Sequence, residues 1–280
     1  MALPPYATIS QRVGYYGLRI GCGLVFFFLV APVLVIIPLS FNQDPFFTYP
    51  MAGYSLRWYE EIFGDSPLSI LWQRSFVNSL LIALCSTLLA TVLGTLAALG
   101  LNRAEFPFKS TVIAILISPM IVPIVVIAIG AFYFYAQIGL VGTHLGIILA
   151  HAAIGAPFVV ITVLATLSGF DHNLVRAGSI LGASPVRVFR KITLPLIFPG
   201  VASGGIFAFA ASWDEIVIVL FMAGPEQHTV PRRMWSGIRE HLSPTIIAAA
   251  TLLILLSILL MLTMEWLRRR NERLRGINQP

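Results

Sequence analysis

The polar segment DHNLVRAGSILGASPVRVFRKITLP, residues 171–195, separates two long apolar runs in the second half of this sequence. We call it the corner segment. Residues 110–170 before it carry no formal charge, and residues 196–213 after it are also uncharged. Because apolar runs of this length are typical of membrane-spanning helices, the corner segment is predicted to connect two such helices.

The composition of the whole chain is that of a membrane protein. Of its 280 residues, 58% are hydrophobic and 11% are charged, and the mean hydropathy is +0.88. Soluble domains carry about 25% charged residues, and the polar stretches here are too short to form an independent core. The fold class is therefore predicted to be all-α, a polytopic membrane protein.

Six transmembrane helices are predicted, since a helix needs roughly 20 apolar residues to cross the hydrocarbon core. The first two cover residues 21–39 and 75–101, and the last two cover 196–221 and 244–264. The uncharged run 110–170 is long enough for two helices, with a break expected near Gly139, Gly142 and Gly146.

The basic residues predict the orientation of the chain. Thirteen of the 18 lysines and arginines fall on one side if both termini are cytoplasmic, which agrees with the positive-inside rule. The net charge of +6 is therefore attributed to topology and not to a nucleic-acid partner. We divide the chain into a cytoplasmic segment 1–19, a first helix with its periplasmic segment 20–74, a five-helix core 75–267 and a basic cytoplasmic tail 268–280.

The corner segment itself is predicted to form two short helices with a sharp turn between them. Asp171 can cap the first helix, which would run to about Leu181. Gly182 suits the left-handed conformation that ends a helix. Ser184 would cap the second helix, with Pro185 at its first position, and that helix is expected to end before Pro195.

The spacing of the corner segment resembles the EAA loop of bacterial ABC importer permeases. That pattern is E-A-A, three residues, G, nine residues and I-x-L-P, which this sequence matches except that Arg176 replaces the glutamate and Gly178 the second alanine. The resemblance implies a type I ABC importer permease fold, in which this loop contacts the ATPase subunit. The implied coupling residues are Arg176, Ala177, Gly178, Gly182, Ala183, Ser184, Pro185, Ile192, Leu194 and Pro195. An ordinary basic cytoplasmic loop is the alternative interpretation.

Four further motifs resemble the polyamine branch of that family, the PotC-type subunits of spermidine/putrescine importers. They are SFN at 40–42, YSLRWYEEIF at 54–63, NSL at 78–80 and SWDE at 212–215. The resemblance implies a non-enzymatic subunit of the bacterial inner membrane that moves a polyamine, or a similar small organic solute, by alternating access.

The same resemblance implies the partners of the chain. They would be a second homologous permease, a cytoplasmic ATPase dimer, a periplasmic solute-binding protein and membrane lipid, but no nucleic acid. The sequence contains no G-x-x-x-x-G-K-[ST] motif, so ATP and Mg would be bound by the ATPase partner and this chain would need no cofactor. The outer segment 222–243 is expected either to dock the solute-binding protein or to be a plain solvated loop.

Two carboxylates are predicted to lie within the fifth span. Burying one costs about 3 kcal/mol or more, so such residues usually face a wet cavity. We expect Asp214 to face the substrate path near the external mouth, and Glu215 to lie beside the path or to pair with a partner chain. Trp213 could offer its ring face to an alkylammonium group.

Other functions remain open for these carboxylates. They could cap a helix or pair with Arg232 or Arg233, or Asp214 could be the ion site of a secondary transporter. His144 and His151 lack a third ligand, so no metal site is predicted and packing or hydrogen bonding is favoured for both. Polar residues of the second span are expected to bond other helices, namely Asn78, Ser79, Ser86 and Thr87.

Overall fold

The computed structural model describes residues 6, 8–46, 49–103, 106–240 and 243–274, and these contain helices but no strand. The α-helices are α1 Ile9–Leu39, α2 Arg57–Phe63, α3 Pro67–Arg103, α4 Lys109–Ile117, α5 Ile124–Gln137, α6 His144–Leu167, α7 Asn173–Ile180, α8 Pro185–Val188, α9 Leu194–Trp213, α10 Val217–Met222, α11 Val230–Glu240 and α12 Pro244–Leu274. Residues 1–5 of the predicted N-terminal segment and 275–280 of the predicted tail lie outside the described residues.

Within the described residues, five helical stretches are long and apolar enough to cross a membrane. They are α1, α3, α6, the continuous stretch Pro185–Trp213 and α12. A sixth span exists if α4 and α5, which meet at an angle of 100°, are counted together. The prediction of a six-span helical protein therefore holds with that bent pair as the third span.

The first two spans begin earlier than predicted. Helix α1 starts at Ile9, because Thr8 and Gln11 form a capping box in which each side chain accepts a bond from the other's backbone N–H. Helix α3 starts at Pro67, a residue well suited to the first turn of a helix. The predicted starts at residues 21 and 75 were too late because hydropathy marks the apolar core and not the helix ends.

The third span is broken, which the sequence analysis did not predict. Residues Ser118–Met120 form a 3-10 turn, and α5 starts after Pro123. Pro119 and Pro123 each lack a backbone N–H, so neither can donate the bond that would continue a regular α-helix through its position. Two prolines so close together therefore explain why α4 and α5 do not form one straight helix.

The turn between α5 and α6 lies where it was predicted. Gly139 and Gly142 have φ angles of +70° and +73°, which favour glycine. Gly146, in contrast, is inside α6 and not in the turn. A Cβ there would lie 2.2 Å from the carbonyl oxygen of Leu140, so this glycine is required by close packing.

Helices α3, α6 and α9 pack against one another to form the core. Small residues of α9 make this possible: a Cβ on Gly204 would lie 2.7 Å from the Cα of Val159 and 2.4 Å from the hydroxyl of Thr162. Small residues that let membrane helices approach closely are typical of such packing.

Hydrogen bonds show which loops share a side of the molecule. Asn78 near the start of α3 donates to the carbonyls of Glu226 and His228, and Gly142 donates its N–H to the carbonyl of Met222. At the opposite end of α3, Asn102 bonds His172. The corner segment and the turn at Gly142 therefore lie at opposite ends of the core, which requires the α4–α5 pair to pass from one end to the other.

Candidate functional site

The corner segment folds as two helices around Gly182. The Asp171 carboxylate accepts a bond from the N–H of Asn173 at 2.9 Å, as expected of a capping side chain, but the N-cap position of α7 is His172 and not Asp171. Gly182 has a φ of +76°, and the N–H of Ala183 donates to the carbonyl of Gly178 at 3.1 Å. This is the Schellman arrangement that ends a helix, and it confirms the predicted left-handed glycine.

Gly178 brings the two halves of the corner into contact. It is buried, and a Cβ there would lie 2.8 Å from Ile192 Cδ1 and 3.2 Å from Val188 Cγ2. The alanine that the family pattern has at this position could not fit without moving one of these two side chains. The glycine that stands here in place of the family pattern's second alanine therefore allows α7 to pack closely on the second helix.

The predicted end of the second helix before Pro195 is wrong. The chain is helical from Pro185 to Trp213, with a π-type turn over Phe189–Thr193 in which the N–H of Leu194 donates to the carbonyl of Phe189. The wider turn leaves room for the Pro195 ring, which in a regular α-helix clashes with the carbonyl four residues earlier. Ser184 does occupy the cap position, but its side chain makes no capping bond.

The outer surface of the corner is apolar at its tip. Ile180 and Leu181, directly before Gly182, are 85% and 86% exposed, and Val186 on the other side of the turn is 67% exposed. Arg176, at the position where the family pattern has glutamate, is also exposed. Apolar side chains grouped on a solvent-facing turn are typical of a surface that another protein covers.

The fifth span breaks at the SWDE motif, so the prediction that Asp214 and Glu215 lie inside a continuous helix is wrong. Helix α9 ends at Trp213, Asp214 is its C-terminal cap residue, and α10 starts at Val217. Asp214 is exposed whereas Glu215 is only 8% exposed. Both carboxylates therefore lie in the link between α9 and α10, where one side chain is exposed and the other is buried.

Glu215 has its hydrogen-bond partners within this chain. Its carboxylate accepts bonds from the N–H groups of Val217 at 2.7 Å and Ile218 at 3.0 Å, and so caps α10. His151 Nε2 lies 3.4 Å from the same carboxylate. The alternative that one of these carboxylates caps a helix is thus confirmed for Glu215.

A buried series of polar groups extends from Glu215 into the core. His151 Nδ1 lies 2.8 Å from the hydroxyl of Ser212, to which Ser86 donates at 2.9 Å. Because Ser86 donates to it, the Ser212 hydroxyl is able to donate to Nδ1 in turn, while the other ring nitrogen, Nε2, lies on the side of Glu215. Sequence reasoning missed the link between His151 and Ser212 because 61 residues separate them.

The structure does not leave the Trp213 ring open to a solute. The side chain is 5% exposed, stacks on Phe209 with 5.5 Å between ring centroids, and donates its indole N–H to Ser257. Among the described residues, Arg232 bonds Ser236 and Arg233 bonds Ser75, so neither arginine pairs with Asp214 or Glu215. Of the three residues predicted for the substrate path, Asp214 alone is exposed.

Replacing Glu215 with alanine is expected to destabilise the protein by about 2 kcal/mol, because the N–H groups at the start of α10 lose their acceptor and His151 Nε2 loses the neighbouring carboxylate. The midpoint of thermal unfolding of the purified protein measures this. Glu215→Gln is the matched control, since it keeps an oxygen that accepts the two backbone bonds. An alanine variant as stable as wild type would contradict the capping role.

The polar residues of the second span behave mostly as predicted. Asn78 and His144 bond each other at 2.9 Å, and the Ser79 hydroxyl accepts a bond from the N–H of Val230. Thr87 is the exception, since its buried hydroxyl has no hydrogen-bond partner. The described residues contain no group of three metal-ligating side chains, and both histidines make hydrogen bonds as expected.

Comparison with known sequences identifies similar proteins over most of the chain. A family model described as binding-protein-dependent transport system inner membrane component matches residues 90–273. The spermidine/putrescine transport system permease protein PotC of Haemophilus influenzae is 32% identical over 249 residues, or 89% of this chain and 95% of that protein. The putrescine transport system permease protein PotI of Escherichia coli is 33% identical over 82% of this chain and 83% of its own length.

Solved structures share the fold. A bacterial alginate ABC transporter, solved in complex with its alginate-bound periplasmic protein, matches with a TM-score of 0.72 over 93% of this chain and 96% of its own, at 17% identity. The MetNI methionine ABC transporter matches with a TM-score of 0.60 over 74% of this chain and 99% of its own, at 18% identity. The predicted all-α permease fold is confirmed.

Proposed function

Because the chain belongs to the family of binding-protein-dependent transport system inner membrane components, we propose that it is the permease subunit of an ATP-driven importer for spermidine or putrescine. It is a multi-pass inner-membrane transport subunit and not an enzyme, as its curated relatives are permease proteins. The identity of about a third with polyamine permeases, over more than four fifths of the chain, is the observation that supports this substrate class.

The corner segment is the proposed contact with the ATPase. Its exposed tip, Ile180 and Leu181, would enter a groove of the cytoplasmic ATPase dimer, and Gly178 would hold α7 on the second helix. Since that second helix continues without interruption to Trp213, a movement of the ATPase would be carried along a single helix to the break at Asp214.

Asp214 is the proposed contact with the solute. Its carboxylate is exposed at the end of α9, where it would offset part of the cost of removing an ammonium group from water. Glu215 and His151 would act by holding the break in place and not by touching the solute. Trp213 is assigned no contact with the solute, because its ring is covered by Phe209.

Both termini are proposed to be cytoplasmic, with the corner segment on the same side. The distribution of basic residues supports this orientation, and an even number of spans agrees with it. A second homologous permease would complete the translocation path, and a periplasmic solute-binding protein would deliver the solute to the opposite end. Fluorescence of a green fluorescent protein fused to the C-terminus, which fluoresces in the cytoplasm but not after export, tests the orientation.

Reconstituted uptake tests the function. The chain is purified with its co-eluting subunits, placed in liposomes with ATP inside and binding protein outside, and assayed with labelled spermidine and putrescine. Polyamine uptake that requires ATP supports the proposal. Uptake of another small organic solute, with none of polyamine, would refute the substrate class but not the importer.

An ion-coupled secondary transporter using Asp214 is the alternative that the same assay decides. Such a protein would continue uptake after inactivation of the ATPase and would stop when the proton gradient is collapsed. Uptake with that pattern would overturn the proposed energy source.

A further inference from the structure

A cavity of about 410 Å³ lies between the first turns of α3 and helix α11, and we call it the outer cavity. It is at the end of the core opposite the corner segment, beside the bonds from Asn78 to the carbonyls of Glu226 and His228. In the orientation proposed above, this end faces the periplasm. None of the described residues at the break near Asp214 lines it, so the outer cavity is separate from the proposed solute contact.

The outer cavity has an apolar mouth and a charged floor. Leu68 and Leu71, both exposed, line it from the first turns of α3, which are the outer end of that helix. Arg233 donates its Nε to the hydroxyl of Ser75 at 2.8 Å. Ser75 comes seven residues after Leu68, which is about 10 Å further along the helix at 1.5 Å per residue. A group that reaches the guanidinium from the periplasm therefore passes the two leucines.

Arg233 has no acidic partner in the outer cavity. None of the described residues that line it is acidic, and no described carboxylate lies within ion-pair distance of the guanidinium. Glu226, next to the lining residue Pro225, pairs with Arg74 instead. Among the described residues, only the Nε of Arg233 makes a hydrogen bond, so Nη1 and Nη2 remain for a carboxylate that accepts from both.

The positive charge beside the outer cavity is uncompensated. Burial lowers the pKa of Arg233, and it also lowers the pKa of His228, which the charges of Arg232 and Arg233 lower further. Both directions mean that positive charge is disfavoured here as the chain stands. A carboxylate in the cavity would oppose them, because an opposite charge at short distance stabilises the charged form of each basic side chain.

The order of apolar mouth and charged floor decides what kind of group fits. A phospholipid of the outer leaflet holds its headgroup towards the periplasm and its chains towards the membrane interior, which is the reverse of this order. An acidic side chain that enters from the periplasm has the matching order. Its aliphatic part would lie between Leu68 and Leu71, and its carboxylate would reach Arg233.

We propose that the outer cavity receives an acidic side chain of the periplasmic solute-binding protein, whose carboxylate binds the terminal nitrogens of Arg233. The inference rests on the proposed function, in which such a protein delivers the solute to this end of the chain. Leu68 and Leu71 would surround the ion pair and exclude water from it. A charged contact that is shielded in this way contributes more to binding than one at an open rim.

Docking of the solute-binding protein to the complete transporter in nanodiscs tests the site, with the Kd measured by biolayer interferometry. Arg233→Gln removes the charge at the floor. We expect it to weaken docking about tenfold and to reduce the dependence of the Kd on salt, because removing one partner of a desolvated charge pair speeds dissociation. Arg57→Gln removes the same charge from an exposed arginine outside the cavity lining and is expected to dock as wild type does.

A second pair of variants leaves Arg233 and its bond to Ser75 in place, and so does not depend on how well Arg233→Gln folds. Leu68→Glu puts a carboxylate at the exposed mouth, where it competes for the guanidinium. Leu68→Gln adds a side chain of the same size without the charge. We expect Leu68→Glu to weaken docking about tenfold and Leu68→Gln to weaken it much less.

Three results would overturn the assignment. The first is wild-type docking affinity in both Arg233→Gln and Leu68→Glu. The second is equal weakening by Leu68→Glu and Leu68→Gln, which would identify an apolar contact and not a carboxylate. The third is loss of the second permease from the purified Arg233→Gln complex with docking unchanged, which would assign the cavity to that subunit.

Failure of the proposed function has a different signature. Absence of docking to the wild-type transporter would remove the solute-binding protein from the proposed function, and the inference with it. Uptake of another solute, with docking that still requires Arg233, would refute the polyamine substrate and support the assignment of the outer cavity.

Discussion

Replacing Gly182 with valine is expected to reduce solute uptake at least about tenfold while ATP hydrolysis by the complex continues. Gly182 has a φ of +76°, and a β-branched residue is strongly disfavoured in that region. The strain of about 1–2 kcal/mol would be relieved by a change in the corner that moves the exposed tip away from its ATPase groove. The ratio of solute transported to ATP hydrolysed in liposomes measures the effect.

Two control variants separate backbone strain from added bulk at this position. Gly182→Asn also adds a side chain, but asparagine tolerates the left-handed conformation, so it is expected to retain most of the coupling. Gly169→Val makes the same change at an exposed glycine that has open space around it and an ordinary φ. A Gly182→Val transporter with wild-type coupling would remove the main support for the corner segment as the ATPase contact.

Replacing Asp214 with asparagine is expected to lower polyamine uptake about tenfold or more at concentrations below saturation. The exposed carboxylate at the end of α9 would make a charged hydrogen bond to the solute, and losing such a bond costs about 1.5–3 kcal/mol. Saturating concentrations of polyamine should restore much of the rate if Asp214 acts mainly in binding. Initial rates over a range of spermidine concentrations distinguish the two effects.

The control variant for Asp214→Asn is Asp65→Asn, the same change at an exposed aspartate in the link before α3. It removes one negative charge far from the break in the fifth span, so uptake is expected to be unchanged. Thermal unfolding of both variants should match wild type, since Asp214 makes no side-chain hydrogen bond that supports the fold. Normal uptake by Asp214→Asn below saturation would exclude it from the substrate path.

Sequence reasoning succeeded where the structure depends on nearby residues. Gly182 was assigned correctly, and Asp171 was placed within one residue of the N-cap of α7, because a helix end is decided by the backbone preferences of one or two residues. The turn at Gly139 and Gly142 followed from the same physics. The number of spans could be predicted because the free energy of placing an apolar run in lipid depends on composition alone.

Sequence reasoning failed to predict whether a helix continues or breaks at a proline. Pro195 was read as an end of a helix, although a π-type turn carries the helix through it. Pro119 and Pro123 were overlooked, although together they bend the third span by 100°. The effect of a proline depends on whether surrounding helices can accommodate the altered turn, so the same residue ends one helix and is tolerated in another.

The carboxylates of the fifth span show the same division. The sequence by itself determined that a costly pair of charges lies in an apolar run, and that a glycine corner precedes it at a family's spacing. Only the tertiary structure decided that Asp214 is exposed while Glu215 caps α10 beside His151. The physical reason is that Glu215 lies beside His151, 64 positions earlier in the chain. A local sequence pattern does not show which distant residue will contact a buried polar group.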